Sequence, residues 1–171
     1  IVVIEDITNR KDTELALAAR AEQQAAIMDI GQRALSEPDL DLLLNRTANV
    51  ITKIMGVDFC LISQRERAGS AFSIIAASDT GRKYIGWPVE PRIRPLKTVF
   101  EAAALTPVIF HRGDPESPDV TSPIMEDIGT VSAASVIIAG EDNTPRGILI
   151  IHNRTRREFT QDEVTFLQTV A

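Results

Sequence analysis

Few side chains of this 171-residue chain can carry chemistry: one cysteine, Cys60, two histidines, His111 and His152, and a cluster of basic residues in the middle. A thiol acts as a nucleophile or covalent tether only where it is accessible and its thiolate is favoured. Cys60 stands inside the apolar run VDFCLIS, where a small buried core residue is the plainer reading. His111 ends the predicted strand PVIFH just before the polar loop HRGDPESPD. There it can contact a ligand or coordinate haem iron, or simply finish a strand as a polar end. His152 lies beside Asn153 and Arg154 at the close of GILIIHN, and solvent exposure is expected for it. Neither histidine belongs to a metal-ligand spacing, and no nucleophile stands beside a base with a third group to orient it. The expectation is a non-enzyme, with no catalytic residue and no metal site.

The basic cluster departs from the average. The chain carries 18 basic and 24 acidic residues, a net charge of −6. Between Arg82 and Arg112, however, six basic residues (Arg82, Lys83, Arg92, Arg94, Lys97 and Arg112) face only Glu90 and Glu101, so this segment is +4 and the remainder −10. Guanidinium groups pair bidentately with carboxylates and phosphates, so such a segment favours an anionic small molecule; the plainer reading is a solvated loop. The acidic total lacks the field that attracts nucleic acid. A single cysteine excludes an intrachain disulfide and suits a reducing compartment, so a cytoplasmic location is expected. The longest apolar runs fall far short of the ~20 residues of a membrane helix, so no membrane segment is expected in this piece.

These residues need elements to hold them. Ser132 to Asn153, SAASVIIAGEDNTPRGILIIHN, reads as two antiparallel neighbours at the centre of a sheet, because β-branched residues flank a turn signal. Before it, Ile1 to Ile4 reads as a strand. Residues 10–35, rich in Ala, Leu, Glu and Gln and free of proline, read as a helix of about 25 residues, near 38 Å long. Leu17, Ala21, Gln24, Met28, Gly31 and Leu35 recur at spacings of four and three, a coiled-coil seam, while Ile27, Ile30 and Ala34 suit packing on the helix's own domain. Pro38 ends this helix, and Asp39 or Asp41 caps a second one whose stripe of Leu40, Leu43, Leu44, Thr47, Val50, Ile51 and Ile54 ends at Gly56. Residues 57–64 and 72–78 form a hairpin, 80–95 a loop, 98–105 a short helix and 107–111 a short strand. Ser122-Pro123 then opens a brief helix, and Thr160 with Glu163 forms a capping box for a last helix still periodic at Ala171.

From about Ile27 to Ala171, this order resembles a GAF domain. The resemblance rests on DLDLLLNRTANVITKIMGVDFCLIS at the start and SAASVIIAGEDNTPRGILIIHNRTRREFTQDEVTFLQTVA at the end. Residues 1–14, IVVIEDITNRKDTE, resemble the closing strand and exit helix of a PAS domain, with 10–35 as a connector helix. The resemblance implies an α+β fold: a central antiparallel sheet of about five to six strands, N- and C-terminal helices on one face, and a pocket roofed by loops and short helices on the other. It implies a sensory module within a longer signalling protein, with a histidine kinase or cyclic-di-GMP enzyme as output. It also implies a homodimer formed through the terminal helices, with Leu17, Ala21, Gln24 and Met28 on the dimer helix.

By analogy with such domains, Cys60 and Ile62 face the helices, while Phe59, Leu61 and Ser63 face the pocket. Candidate ligand contacts are then Phe59, Leu61, Ser63, Trp87, Arg94, Phe100, His111, Arg112, Met125 and Ser135. The ligand remains unknown. Haem, bilin and flavin are not expected, since the phytochrome-like cysteine motifs are unmatched, and the NKFDE signature of cyclic-GMP-binding members is absent. One cysteine also leaves the thiol chemistry of the GAF-fold methionine sulfoxide reductases without its resolving partners. The alternative is a ligand-free dimerising connector that relays an upstream PAS signal.

Overall fold

The computed structural model describes residues 2–66, 72–89, 106–117, 122–140 and 144–171, with the backbone alone for 2–10 and 12. Helix α1 spans Val2–Ser36 and α2 Leu40–Met55. Strands β1 (Phe59–Arg65) and β2 (Phe72–Ala77) precede a 3-10 turn, Asp79–Tyr84, and the two-residue strand β3, Pro88–Val89. Then come β4 (Val108–His111), α3 (Pro123–Ile128), β5 (Ser132–Ala139), β6 (Pro145–Asn153) and α4 (Gln161–Val170). The strands form one six-stranded sheet in the order β3-β2-β1-β6-β5-β4, with every pairing antiparallel.

The helix ends follow their capping chemistry. Asp39 accepts the Leu42 amide at 3.0 Å to open α2, and Gly56 closes it in the left-handed region at φ 59°. Ser122 accepts the Met125 amide ahead of Pro123, and Thr160 and Glu163 complete the reciprocal box that starts α4. The strand expected at residues 1–4 is not formed: Val2 to Ile4 belong to α1. A β-branched run favours a strand only where a partner offers its ladder, and among the described residues no strand lies beside it. The expected helix at 98–105 lies outside the described residues. The 3-10 turn and β3 replace part of the loop expected at 80–95.

Alternation along the strands divides the core. Cys60 and Ile62 of β1, Val136 of β5 and Leu149 and Ile151 of β6 pack with Ile51 and Met55 of α2 and Phe166 and Leu167 of α4. Phe59, Leu61, Ile74, Ala77 and Tyr84 point the other way and meet Ile124 and Ile128 of α3. Helix α1 adds the buried Ala26 and half-buried Ile27 to the helix side, and half-buried Ile30 lies near α2, whereas Ala34 is exposed. The seam residues Leu17, Ala21, Gln24, Met28, Gly31 and Leu35 are exposed on the single chain.

Candidate functional site

The face of the sheet opposite the long helices carries a cavity of about 60 Å³, partly open, between the strands and α3. Leu61, Ile74, Phe110 and Ile150 supply its apolar floor, and Ile124 and Met125 of α3 its side. Space remains there because β5 contributes only small residues, Ala133, Ala134 and Ser135, among the described lining. Among the described residues, the polar side chains on the wall are Ser122, Ser135 and His152.

His152 is the residue whose surroundings differ most from the expectation of solvent exposure: it is 2% exposed. Its register explains this. It pairs with Phe59 of β1 on one side and Ala133 of β5 on the other, on the same face as Ile150, so two strands flank it. Nδ1 lies 3.2 Å from the hydroxyl of Thr130, while Nε2 is buried without a partner among the described residues. Thr130 is fully buried, and its hydroxyl has no other partner among the described residues. The hydroxyl and Nδ1 share one hydrogen bond, whose direction is set by the tautomer of the ring. Burial lowers the His152 pKa to about 4, so the ring is neutral at pH 7. A neutral, buried imidazole is therefore among the residues that line a mostly apolar cavity.

Three of the expected contact residues, Leu61, Met125 and Ser135, line this cavity. Phe59 is on the same face but packs edge-on to Tyr84, with ring centroids 6.3 Å apart, beneath the Arg154 guanidinium. Ser63 is buried and donates to the Ile148 carbonyl at 3.3 Å, so its hydroxyl serves the β1–β6 seam. Trp87 is 39% exposed and stands against Tyr84, away from the cavity wall. His111 requires a correction. It shares the strand face of Ile109, which packs with the helix-side core, while Val108 and Phe110 face the cavity. Its ring is engaged by Ser132 Oγ and Glu158, each at 3.2 Å. Alternation over a four-residue strand decides which neighbour enters the pocket, and here it is Phe110. Arg94 and Phe100 lie outside the described residues.

The basic rim is also different from the expectation where it is described. Arg82 pairs with Asp79 at 2.8 Å, Lys83 with Asp127 at 2.6 Å, and Arg112 with Glu126 at 3.1 Å while donating Nε to the Thr130 carbonyl. Arg112 thus braces the exit of α3 and does not line the cavity. Arg92, Lys97 and Arg94 lie outside the described residues. Cys60 is fully buried on the helix side, across the sheet from the cavity, and burial pushes its thiol far above the ordinary range.

A family model described as "GAF domain" matches residues 39–171. The chain belongs to the GAF domain family. Solved structures agree on the fold. A phycocyanobilin-bound GAF domain from a cyanobacterial phytochrome superposes with a TM-score of 0.71 at 18% identity, covering 86% of this chain and 88% of the other. The GAF domain of a phosphoenolpyruvate-protein phosphotransferase from Coxiella burnetii gives 0.72 at 16% identity, covering 88% and 89%. The A. aeolicus nlh2 GAF domain, solved in an inactive state, gives 0.65 at 14% identity, covering 89% and 90%. No curated protein matches this chain. No helix among the described residues is long and apolar enough to cross a membrane.

Proposed function

We propose that this GAF domain is a non-catalytic sensory module: a small molecule occupies the cavity beside α3, and the change is passed through the terminal helices to a separate output domain, a histidine kinase or a cyclic-di-GMP enzyme. The observation that carries this reading is the cavity itself, on the sheet face opposite the long helices, with His152 among its lining residues. The sheet is thin enough to couple the two sides: Leu61 borders the cavity, and its neighbours Cys60 and Ile62 touch the helix-side core. A ligand shifts such a system only through different affinities for its two arrangements. Two neighbours, GAF domains of cyanobacterial phytochromes solved with bilins bound, support a ligand-binding reading; the chromophore itself is not carried over, since Cys60 lies across the sheet from the cavity.

The proposed partner is a second copy of the chain, with a cytoplasmic site of action. Leu17 and Met28 on α1 are 61% and 66% exposed, and Leu35 is exposed beyond them, an apolar series along a helix that continues to Val2. An upstream PAS domain joined through α1 belongs to the same proposal, as does its limiting case, a ligand-free connector. Native mass spectrometry of the purified chain and a thermal-shift screen of metabolites test the sensor: a co-purifying mass or saturable stabilisation is expected, and a broad screen with neither favours the connector. Sedimentation tests the dimer. Leu17→Glu with Met28→Glu should turn a dimer into a monomer, and a wild-type chain already monomeric at high concentration sinks it.

A further inference from the structure

We infer that residues 77–84 form a strap joining α2 on one side of the sheet to α3 on the other, and that a change at α3 reaches α2, and α1 beyond it, through this strap; that a ligand supplies the change rests on the pocket reading above. The strap is anchored at both ends. On the helix side, Asn45 and Asn49 stand one turn apart on α2, and their Oδ1 atoms accept the amides of Ala77 at 3.1 Å and Asp79 at 2.8 Å. On the cavity side, Lys83 and Tyr84 hold Oδ2 of Asp127 on α3, the helix whose Ile124 and Met125 line the cavity.

Between these anchors the strap is tied to β1. The Cys60 amide donates to Ser78 Oγ at 3.1 Å, the Ser78 amide to the Cys60 carbonyl at 2.9 Å, and the Thr80 hydroxyl to the Asp58 carbonyl at 2.7 Å. Gly81 passes so near the cavity wall that a Cβ there would stand 2.8 Å from Leu61 Cδ2. A segment with a fixed middle and two bonded ends pivots, and so passes on a displacement that a slack loop would absorb. The 3-10 run Asp79–Tyr84 is six residues long, beyond the three to four this geometry usually sustains, so its outside bonds hold what its own ladder holds poorly. At the far end α2 supports α1: Ile30 of α1 shares a groove with Thr47 and Val50 of α2. A coupling of this kind is a free energy common to both ends, so it acts in both directions.

Amide hydrogen exchange of the whole chain, followed residue by residue by NMR, tests the strap without any ligand. Asp127→Ala removes both bonds at α3 and leaves those at α2 in place. It should speed exchange of the Ala77 and Asp79 amides by roughly fivefold, the usual net worth of one hydrogen bond, with Val136 and Leu149 at the sheet's centre unchanged. Asn49→Ala should in return speed the Gly129 and Thr130 amides, which close α3 on the Glu126 and Met125 carbonyls. Acceleration confined to α3 in the first variant, or to α2 and Asp79 in the second, overturns the strap. Uniform acceleration of every amide, Leu149 included, is lost stability alone and overturns it too. If Asp127→Ala does not fold, Tyr84→Phe, which removes one of the two bonds and keeps the ring, decides by the same readout. Each of these outcomes leaves the pocket reading standing, since a co-purifying mass or a saturable thermal shift reports occupancy separately.

Discussion

Tyr84 Oη donates to Asp127 Oδ2 at 2.7 Å, and Lys83 Nζ reaches the same oxygen at 2.6 Å. The two bonds fasten the 3-10 turn to α3, the helix that borders the cavity, while the Tyr84 ring stands edge-on to Phe59 and Trp87. The Lys83 hydrogen bond, then that of Tyr84, hold the Asp127 carboxyl below its ordinary pKa. Tyr84→Phe keeps the ring packing and removes one bond to a charged acceptor. It should lower stability to urea by about 1 to 2 kcal/mol and weaken any ligand bound beside α3. Unchanged unfolding and affinity would mean that α3 is held by packing alone.

His152 predicts the acid limb of stability. Its folded pKa, about 4, lies below the ordinary value of 6.5, so between these values the unfolded chain binds the proton that the folded ring refuses. Stability therefore rises with pH across this window: it is complete above about pH 6.5 and lost progressively down to about pH 4. The span is on the order of 3 kcal/mol for a shift of this size. Asp127 and Asp29, with lowered carboxylate pKa values, act below this window. Urea midpoints measured from pH 4 to 7 should show the slope in the wild type and a flatter profile in His152→Gln.

Gly147 predicts a steric limit at the sheet's centre. It pairs with Gln64 across the β1–β6 seam, where a Cβ would collide with the Ser63 carbonyl oxygen, a backbone atom that cannot swing aside. Gly147→Ala should cost roughly 2 to 3 kcal/mol by separating the strands. Thermal unfolding checks it, and a neutral result would show that the seam tolerates the shift.

The architecture was legible where local chemistry and periodicity agree. Asp39, Gly56, Ser122 and the Thr160–Glu163 box mark helix ends through side chains acting on their own backbone, and alternation in β1 already put Cys60 and Leu61 on opposite faces. The pocket was less legible because its polar centre depends on register between distant strands. His152 sits beside polar residues in sequence, yet Phe59 and Ala133 enclose it in space. His111 illustrates the complementary error, since a polar strand end beside a loop gave no sign of which face it would take. The signal that could have found His152 was the parity of GILIIHN: Ile148, Ile150 and His152 share a face, and the first two are plainly not solvent residues.

Arg157 joins the two helix ends nearest the sheet, and this makes a last prediction. Its guanidinium donates to the Met55 and Gly56 carbonyls at the end of α2 and pairs with Glu163, the residue whose carboxylate also accepts the Thr160 amide at the start of α4. The carbonyls that close a helix have no intrahelical donors, so the fork supplies them while fixing the capping box. Arg157→Ala should lose about 2 to 3 kcal/mol, because half-buried acceptors at both helices are left unpaired together. Arg157→Lys should recover only part, since an ammonium cannot reproduce the planar fork. A double-mutant cycle with Glu163→Gln isolates the pair. A coupling energy near zero would show that α2 and α4 are positioned independently, and would remove this clamp as a route between the sheet and the C-terminal helix.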